Sequence, residues 1–300
     1  MTGAIDIGGT KIAVGIVDDD GRIVSRLATP TAPERGFEDA LRRMTAMLRE
    51  TAALADVQLG GIGIGCTGPV DPFRGTVEDA SLLPGWQGAA LVGRLADEFA
   101  VPVAMENDAD AAALAEATWG AGRGKRHFLY VTVGTGIGVG IILDGRLYRG
   151  VDGAHPEPGH HVIDASGPLC YCGAHGCWES LASGPAMVEW INSERPGEWT
   201  AERICTLAEQ GDELAGRAVE RAGYYLGLGL ANLVTVFCPD LIALGGGVMK
   251  SHHLLLDHAR RVVRRISTQV PAEKTTVVPA ALGADAALAG AARAWHHRYH

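Results

Sequence analysis

Twice in this chain an apolar strand runs into a glycine turn and out into a second apolar strand. The first copy is residues 4–7, the turn Gly8-Gly9-Thr10-Lys11, then residues 12–17, with residues 23–28 closing a hairpin. The second is residues 128–133, the run Gly134-Thr135-Gly136-Ile137-Gly138-Val139-Gly140, then residues 141–143. One glycine-rich hairpin says little, whereas two at corresponding positions of two halves predict a duplicated α/β fold with a phosphate held between the copies. Glycines at such a turn let backbone N–H groups approach an anion, and Asp6, Thr10 and Lys11 add a carboxylate, a hydroxyl and a cation at the same spot. That set suits a phosphate with its metal ion. The G-x-x-x-x-G-K-[ST] spacing of a Walker loop is absent and no helix follows at once, so a plain hairpin is the competing reading of the first turn.

The rest of the chain reads as helices and strands in alternation. Residues 37–54 carry Leu41, Met44, Met47, Leu48 and Ala52 at helical spacing, and residues 61–65 form a buried strand that empties into the turn Cys66-Thr67-Gly68-Pro69. A helix over 91–99 precedes a strand over 101–105 and an alanine-rich helix over 109–119. Asn107 and Asp108 then sit at the carboxyl end of a strand and at a helix N-terminus, where open α/β sheets present ligands; helix capping is the competing reading. Further helices are expected over 183–192, 201–210, 212–237, 254–266 and 286–295, with strands over 241–244 and 275–279. A third glycine turn, Gly245-Gly246-Gly247, ends the first of those strands, and Gly223, Gly227 and Gly229 let the long helix pack closely. The last helix is alanine-rich and suited to docking back on the first half.

Composition narrows the function. A net charge of -9 argues against a nucleic-acid backbone or an anionic membrane surface as partner, because both demand clustered Lys and Arg. No apolar run is long enough to span a bilayer, and no charged-then-apolar leader opens the chain. Three of the six cysteines crowd into one short loop, so a reduced, cytoplasmic, metal-binding protein is the expectation.

That loop lies within Val151-to-Gly184, which holds His155, His160, His161 and His175, Cys170, Cys172 and Cys177, and Glu157 and Glu179. A C-x-C pair, a third cysteine and a histidine can fill a closed tetrahedral shell, which suits structural Zn²⁺. Spacing leaves His160 and His175 as rival fourth ligands. Cys66, Cys205 and Cys238 are expected to pack as small apolar residues.

With Asp6-Ile7-Gly8-Gly9-Thr10-Lys11, Glu106-Asn107-Asp108-Ala109, Gly134-Thr135-Gly136, Glu157-Pro158-Gly159-His160 and the cysteine loop in this order, the sequence resembles the ROK family of bacterial sugar kinases and sugar-responsive repressors over nearly its whole length. The resemblance implies an actin-like ATPase (ribonuclease H-like) fold, two lobes around a cleft where ATP and a hexose meet. Residues 1–108 with about 285–300 would form the small lobe, and 109–284, with the zinc loop 155–179, the large one. It further implies Asp108 as general base, with Gly68, Asn107, Asp108, Glu157, His160 and Glu179 on the sugar. Asp6 would organise Mg²⁺; Gly9, Thr10, Lys11, Gly134, Thr135 and Gly136 would surround the phosphates, and Gly245 and Gly246 the nucleoside. His160 is the fourth zinc ligand that the resemblance favours, beside Cys170, Cys172 and Cys177, and a homodimer is implied.

The sugar stays open at this stage. The run Ala154-His155-Pro156-Glu157 is similar to ROK fructokinases, while the remaining motifs are closer to glucokinases. Glucose is therefore placed first, and fructose, mannose or N-acetylmannosamine second. ATP is the expected donor, and whether polyphosphate replaces it stays open as well. The repressor branch carries a winged-helix segment ahead of the first glycine loop; here that loop begins within the first ten residues and the net charge opposes DNA binding, so an enzyme is expected.

Overall fold

The computed structural model describes residues 1–299; residue 300, the end of the expected C-terminal segment, lies outside them. The first half contains β1 (Thr2–Ile7), β2 (Lys11–Val17), β3 (Ile23–Pro30), α1 (Phe37–Leu54), β4 (Ile62–Cys66), the short pair β5 (Val70–Asp71) and β6 (Thr76–Val77), α2 (Leu91–Phe99) and β7 (Val103–Asn107). Helix α3 (Asp108–Trp119) leads into β8 (Phe128–Val133), β9 (Ile137–Leu143) and β10 (Arg146–Leu147). After a long loop come α4 (Trp178–Ala182), α5 (Gly184–Glu194), α6 (Ala201–Glu209), α7 (Glu213–Phe237), β11 (Leu241–Gly245), α8 (His252–Ile266), β12 (Thr276–Pro279) and α9 (Ala286–Tyr299).

The two halves share one topology. The sheets run β3-β2-β1-β4-β7 and β10-β9-β8-β11-β12, each with three antiparallel strands followed outward by two parallel ones. The glycine turns join β1 to β2 and β8 to β9, at corresponding places in the two copies. Register then builds the site. Asp6, Gly65 and Glu106 form one row across β1, β4 and β7, and Ile7, Cys66 and Asn107 form the next. All three strands end at the same edge, so Thr67, Asn107 and Asp108 emerge beside Asp6. In the second sheet Thr132 pairs with Gly245, which brings the turns after β8 and β11 together.

Helices α1 and α2 cover one face of the first sheet through Met44, Leu48, Leu91 and Leu95. Helices α4 to α8 cover one face of the second, around Trp178, Leu226 and Leu230. Between the sheets lie α3 and α9, packed on each other and on the two inner faces. Their alanine content follows from that position, because only small side chains let helix and strand backbones approach this closely. A Cβ at Gly63 of β4 would stand 1.8 Å from the Ala291 carbonyl oxygen, and one at Gly140 of β9 would stand 2.4 Å from that of Ala109. Likewise Gly223 and Gly227 of α7 admit α8, and Gly229 admits Trp178.

Four expectations need correction. The strand expected over 101–105 is β7, Val103–Asn107, because Glu106 and Asn107 still pair with Gly65 and Cys66. The run expected as turn to Gly140 already extends from Ile137, with Ile137, Val139 and Ile141 buried on one side and the glycines facing α3. A short helix, α4, precedes α5, which starts at Gly184 with Ser183 as its cap. Cys238 is exposed, in a left-handed conformation (φ 44°) where it ends α7, rather than packed in the core; Cys66 and Cys205 are buried as expected. Among the described residues no helix is long and apolar enough to cross a membrane.

Candidate active site

Asn107 is both the last residue of β7 and the cap of α3, so capping and ligand presentation coincide. Its Oδ1 accepts from the Ala109 N–H at 2.8 Å, which leaves Nδ2 to donate to the Gly68 carbonyl at 3.3 Å. Gly68 has φ +80° and a Cβ there would strike Ala80 at 2.5 Å, so this turn accepts only glycine. Asp108, the first residue of α3, accepts the Ala109 N–H at 2.8 Å and a hydrogen bond from the Thr67 hydroxyl. Burial nonetheless raises the Asp108 pKa; the charge of Asp110 adds to that rise, while His155, the Ala109 N–H and Thr67 oppose it. Burial, with Asp108 adding and Lys11 opposing, also pushes Asp6 up to about 7. Two carboxylates that each disfavour the other's charge mark a place for a cation or a moving proton.

The long loop delivers its side chains to the same place. Burial raises the Glu157 pKa, with His155 and His160 opposing and Asp108 and Glu179 adding. Glu179 accepts the Ile137 N–H at 2.8 Å through Oε2, and a Cβ at Gly136 would lie 2.3 Å from that oxygen. The glutamate is thereby seated on the second glycine turn, which is why Gly136 carries no side chain.

His160, Cys170, Cys172 and Cys177 present four ligand atoms within 4.8 Å of one another. A tetrahedral zinc with bonds of about 2.0–2.3 Å separates its ligand atoms by about 3.5–3.8 Å. Cys172 Sγ and Cys177 Sγ are 3.5 Å apart, as are Cys170 Sγ and His160 Nδ1. The residues present therefore fit zinc. His160 Nε2 faces the Tyr171 hydroxyl at 2.9 Å, and His175 is elsewhere, with Nδ1 3.1 Å from the Gly167 carbonyl oxygen. Of the two histidines that spacing left open, His160 lies in the cluster and His175 does not.

A cavity of about 720 Å³ opens beside the second glycine turn, lined by Gly134 and Thr135, the start of α5 at Gly184, α6 at Cys205, and Gly247 and Lys250. Gly134 accepts the Gly184 N–H at 2.9 Å, which fixes the α5 N-terminus against the turn. Of the third glycine turn, Gly247 lines the cavity, whereas Gly245 and Gly246 face inward: added Cβ atoms would meet the Tyr130 hydroxyl at 2.3 Å and the Val133 carbonyl at 2.4 Å. Sequence reasoning missed the contributions of α5, α6 and Lys250, which no local motif marks. On the first turn Gly9 is overhung by Leu82, 3.0 Å from where its Cβ would be, and Thr10 and Lys11 are exposed.

The sequence profile of the ROK family matches residues 2–298. The chain belongs to the ROK family. Its paired sheets are the actin-like ATPase fold that the family resemblance implied, and they repeat one topology as the duplicated hairpins predicted. This ROK protein is 33% identical to the glucokinase of Thermotoga maritima over 96% of its own length and 95% of the relative's. It superposes on the crystal structure of a ROK family glucokinase from Streptomyces griseus in complex with glucose and AMPPNP with a TM-score of 0.86, at 35% identity and over 97% of each chain. It is also 34% identical to the xylose repressor of Bacillus subtilis, over 77% of its own length and 59% of the repressor's.

Proposed function

We propose that this ROK protein transfers the γ-phosphoryl group of ATP to a hexose, glucose before other hexoses, to give glucose 6-phosphate. The observation that carries this reading is Asp108: a carboxylate with a raised proton affinity, at the end of β7, between the glycine turns and the loop of Glu157 and His160. In phosphoryl transfer to an alcohol the protein mostly positions the groups and neutralises charge, and a carboxylate takes the hydroxyl proton as the bond to phosphorus forms. Asp108 fills that role, aimed by Thr67 and the Ala109 N–H. Asn107, Gly68, Glu157, His160 and Glu179 hold the sugar hydroxyls. The turns at Gly9-Thr10-Lys11 and Gly134-Thr135-Gly136 hold the phosphates, and the cavity between Gly134, Cys205 and Gly247 takes the nucleoside.

Asp6, half-buried at the end of β1 and raised in proton affinity, would hold Mg²⁺, which when bound spreads the charge of the β- and γ-phosphates. His160, Cys170, Cys172 and Cys177 hold Zn²⁺, whose contribution is to fix the loop. Residues 1–108 with the segment from about 285 form one lobe of the cleft, and 109–284 the other.

A coupled assay for ADP release across glucose, fructose, mannose and N-acetylmannosamine, repeated with polyphosphate as donor, tests the reading. Glucose with ATP is expected to give the highest kcat/KM; no turnover with any of the four sugars would refute it.

A further inference from the structure

Behind Asp108 and Glu157 lies an ion pair with no part in the chemistry described so far. His155 Nδ1 stands 2.9 Å from Asp110 Oδ2, and the two side chains are only 5% and 2% exposed. Neither the second Asp110 oxygen, Oδ1, nor His155 Nδ1 makes a well-aligned hydrogen bond among the described residues, so the 2.9 Å approach is a contact of charges. Such a pair is a poor device for stability, because desolvating two charges offsets most of their attraction and apolar residues would pack as well. The neighbouring positions of α3, Ala109, Ala111, Ala112 and Ala113, are all apolar. Placement gives the pair a different use. Asp110 follows Asp108 by two residues in the first turn of α3, and His155 precedes Glu157 by two residues in the loop.

Resting on the assignment of Asp108 as the base, we propose that His155, held as an imidazolium by Asp110, is a positioning residue for phosphoryl transfer: it supplies the charge that lets Asp108 be ionised, and it anchors the loop that carries Glu157. The surroundings agree. Asp108 is faced by Asp6 of β1, Cys66 of β4, Tyr130 of β8, Asp110 of its own helix, and His155 and Glu157 of the loop. Of these His155 is the one cation. Asp110 is also faced by Glu106 of β7 and by His297 of α9, but Glu106 is engaged by Arg149 and burial holds His297 towards its neutral form. Burial alone would lower the His155 pKa; contact with Asp110 and the charges of Asp110, Glu157 and Asp108 outweigh it, and the pKa is raised.

The test uses the full chain with glucose and ATP, comparing wild type, His155→Gln and the charge-neutral pair Asp110→Asn/His155→Gln. Turnover is followed from pH 5.5 to 8.5, glucose binding by calorimetry, and folding by thermal melting. In His155→Gln the acid limb of the kcat profile moves to higher pH, costing on the order of tenfold at the acid end, less than loss of the base itself. The double variant removes the stranded Asp110 charge, so it melts above the single variant, and its acid limb lies between those of the single variant and wild type. Profiles of unchanged shape in folded variants, whatever the loss in overall rate, overturn the proposal and leave the pair a structural bond. A wild-type chain that phosphorylates none of glucose, fructose, mannose and N-acetylmannosamine overturns the kinase reading instead.

Discussion

Gly159→Ala is the sharpest test of how the loop proposed to face the sugar is aimed. A Cβ on Gly159 would lie 2.0 Å from the Ile137 carbonyl oxygen and 3.1 Å from its carbon. Carbon and oxygen settle no closer than about 3.3 Å, so the two backbones must part by about 1.3 Å. Strand β9 cannot give, because Ile137 is paired with Val133 and its N–H is held by Glu179. The loop moves instead, and takes Glu157 and His160 with it. A misplacement of about 1 Å costs roughly 10²-fold in rate, or about 2.7 kcal/mol in the barrier, and overpacking costs about 1–3 kcal/mol of stability. Steady-state kinetics with glucose and ATP, with thermal melting alongside, should show kcat/KM for glucose reduced by about that factor in a protein that still folds. Gly93→Ala is the control, since nothing lies within 4 Å of its added methyl in α2. A Gly159→Ala protein with kcat/KM and melting indistinguishable from wild type would refute the reasoning.

Two other perturbations follow from the same geometry. Cys177→Ser should abolish the zinc expected at about one ion per chain and weaken glucose binding by roughly tenfold or more, as His160 loses its anchor; metal analysis and calorimetry check this, and a zinc-free wild type would sink the metal assignment. Burial, opposed by Arg149, pushes Glu106 up to about 7 from its ordinary 4.5, so the folded state holds the proton more tightly than the unfolded one. The associated stability is complete below pH 4.5 and is lost as pH rises through 7. Glu106→Gln should remove up to roughly 3 kcal/mol of that pH dependence, measured by denaturant unfolding; an unchanged slope would contradict the cause given.

Legibility followed the range of the interaction. Helix α1 and helix α2 were readable to their end residues, because their buried faces, Leu41, Met44 and Leu48 in one and Leu91 and Leu95 in the other, recur at helical spacing. The duplication was readable because each half repeats a strand, a glycine turn and a strand. The start of β9 was hidden by its own glycines, although Ile137, Val139 and Ile141 alternate as a strand should; Gly138 and Gly140 are there to admit α3, a partner distant in sequence. Asn107 and Asp108 were locatable from the strand-to-helix junction. The pairs Asp110–His155 and Glu106–Arg149 were not, since each joins α3 or β7 to the loop after β10, more than forty positions away. Nothing local signals Cys205 and Lys250 beside Gly134 either, because the cavity forms only when α5 and α6 fold back over the second glycine turn.

The central claim is that Asp108 takes the proton of the sugar hydroxyl during transfer from ATP. Asp108→Asn keeps the shape of the side chain and removes the base, so it separates binding from chemistry. With glucose binding measured by calorimetry and turnover by ADP release, the account predicts binding within a few-fold of wild type and kcat lower by about 10²–10⁴-fold. Near-normal turnover in Asp108→Asn would contradict it.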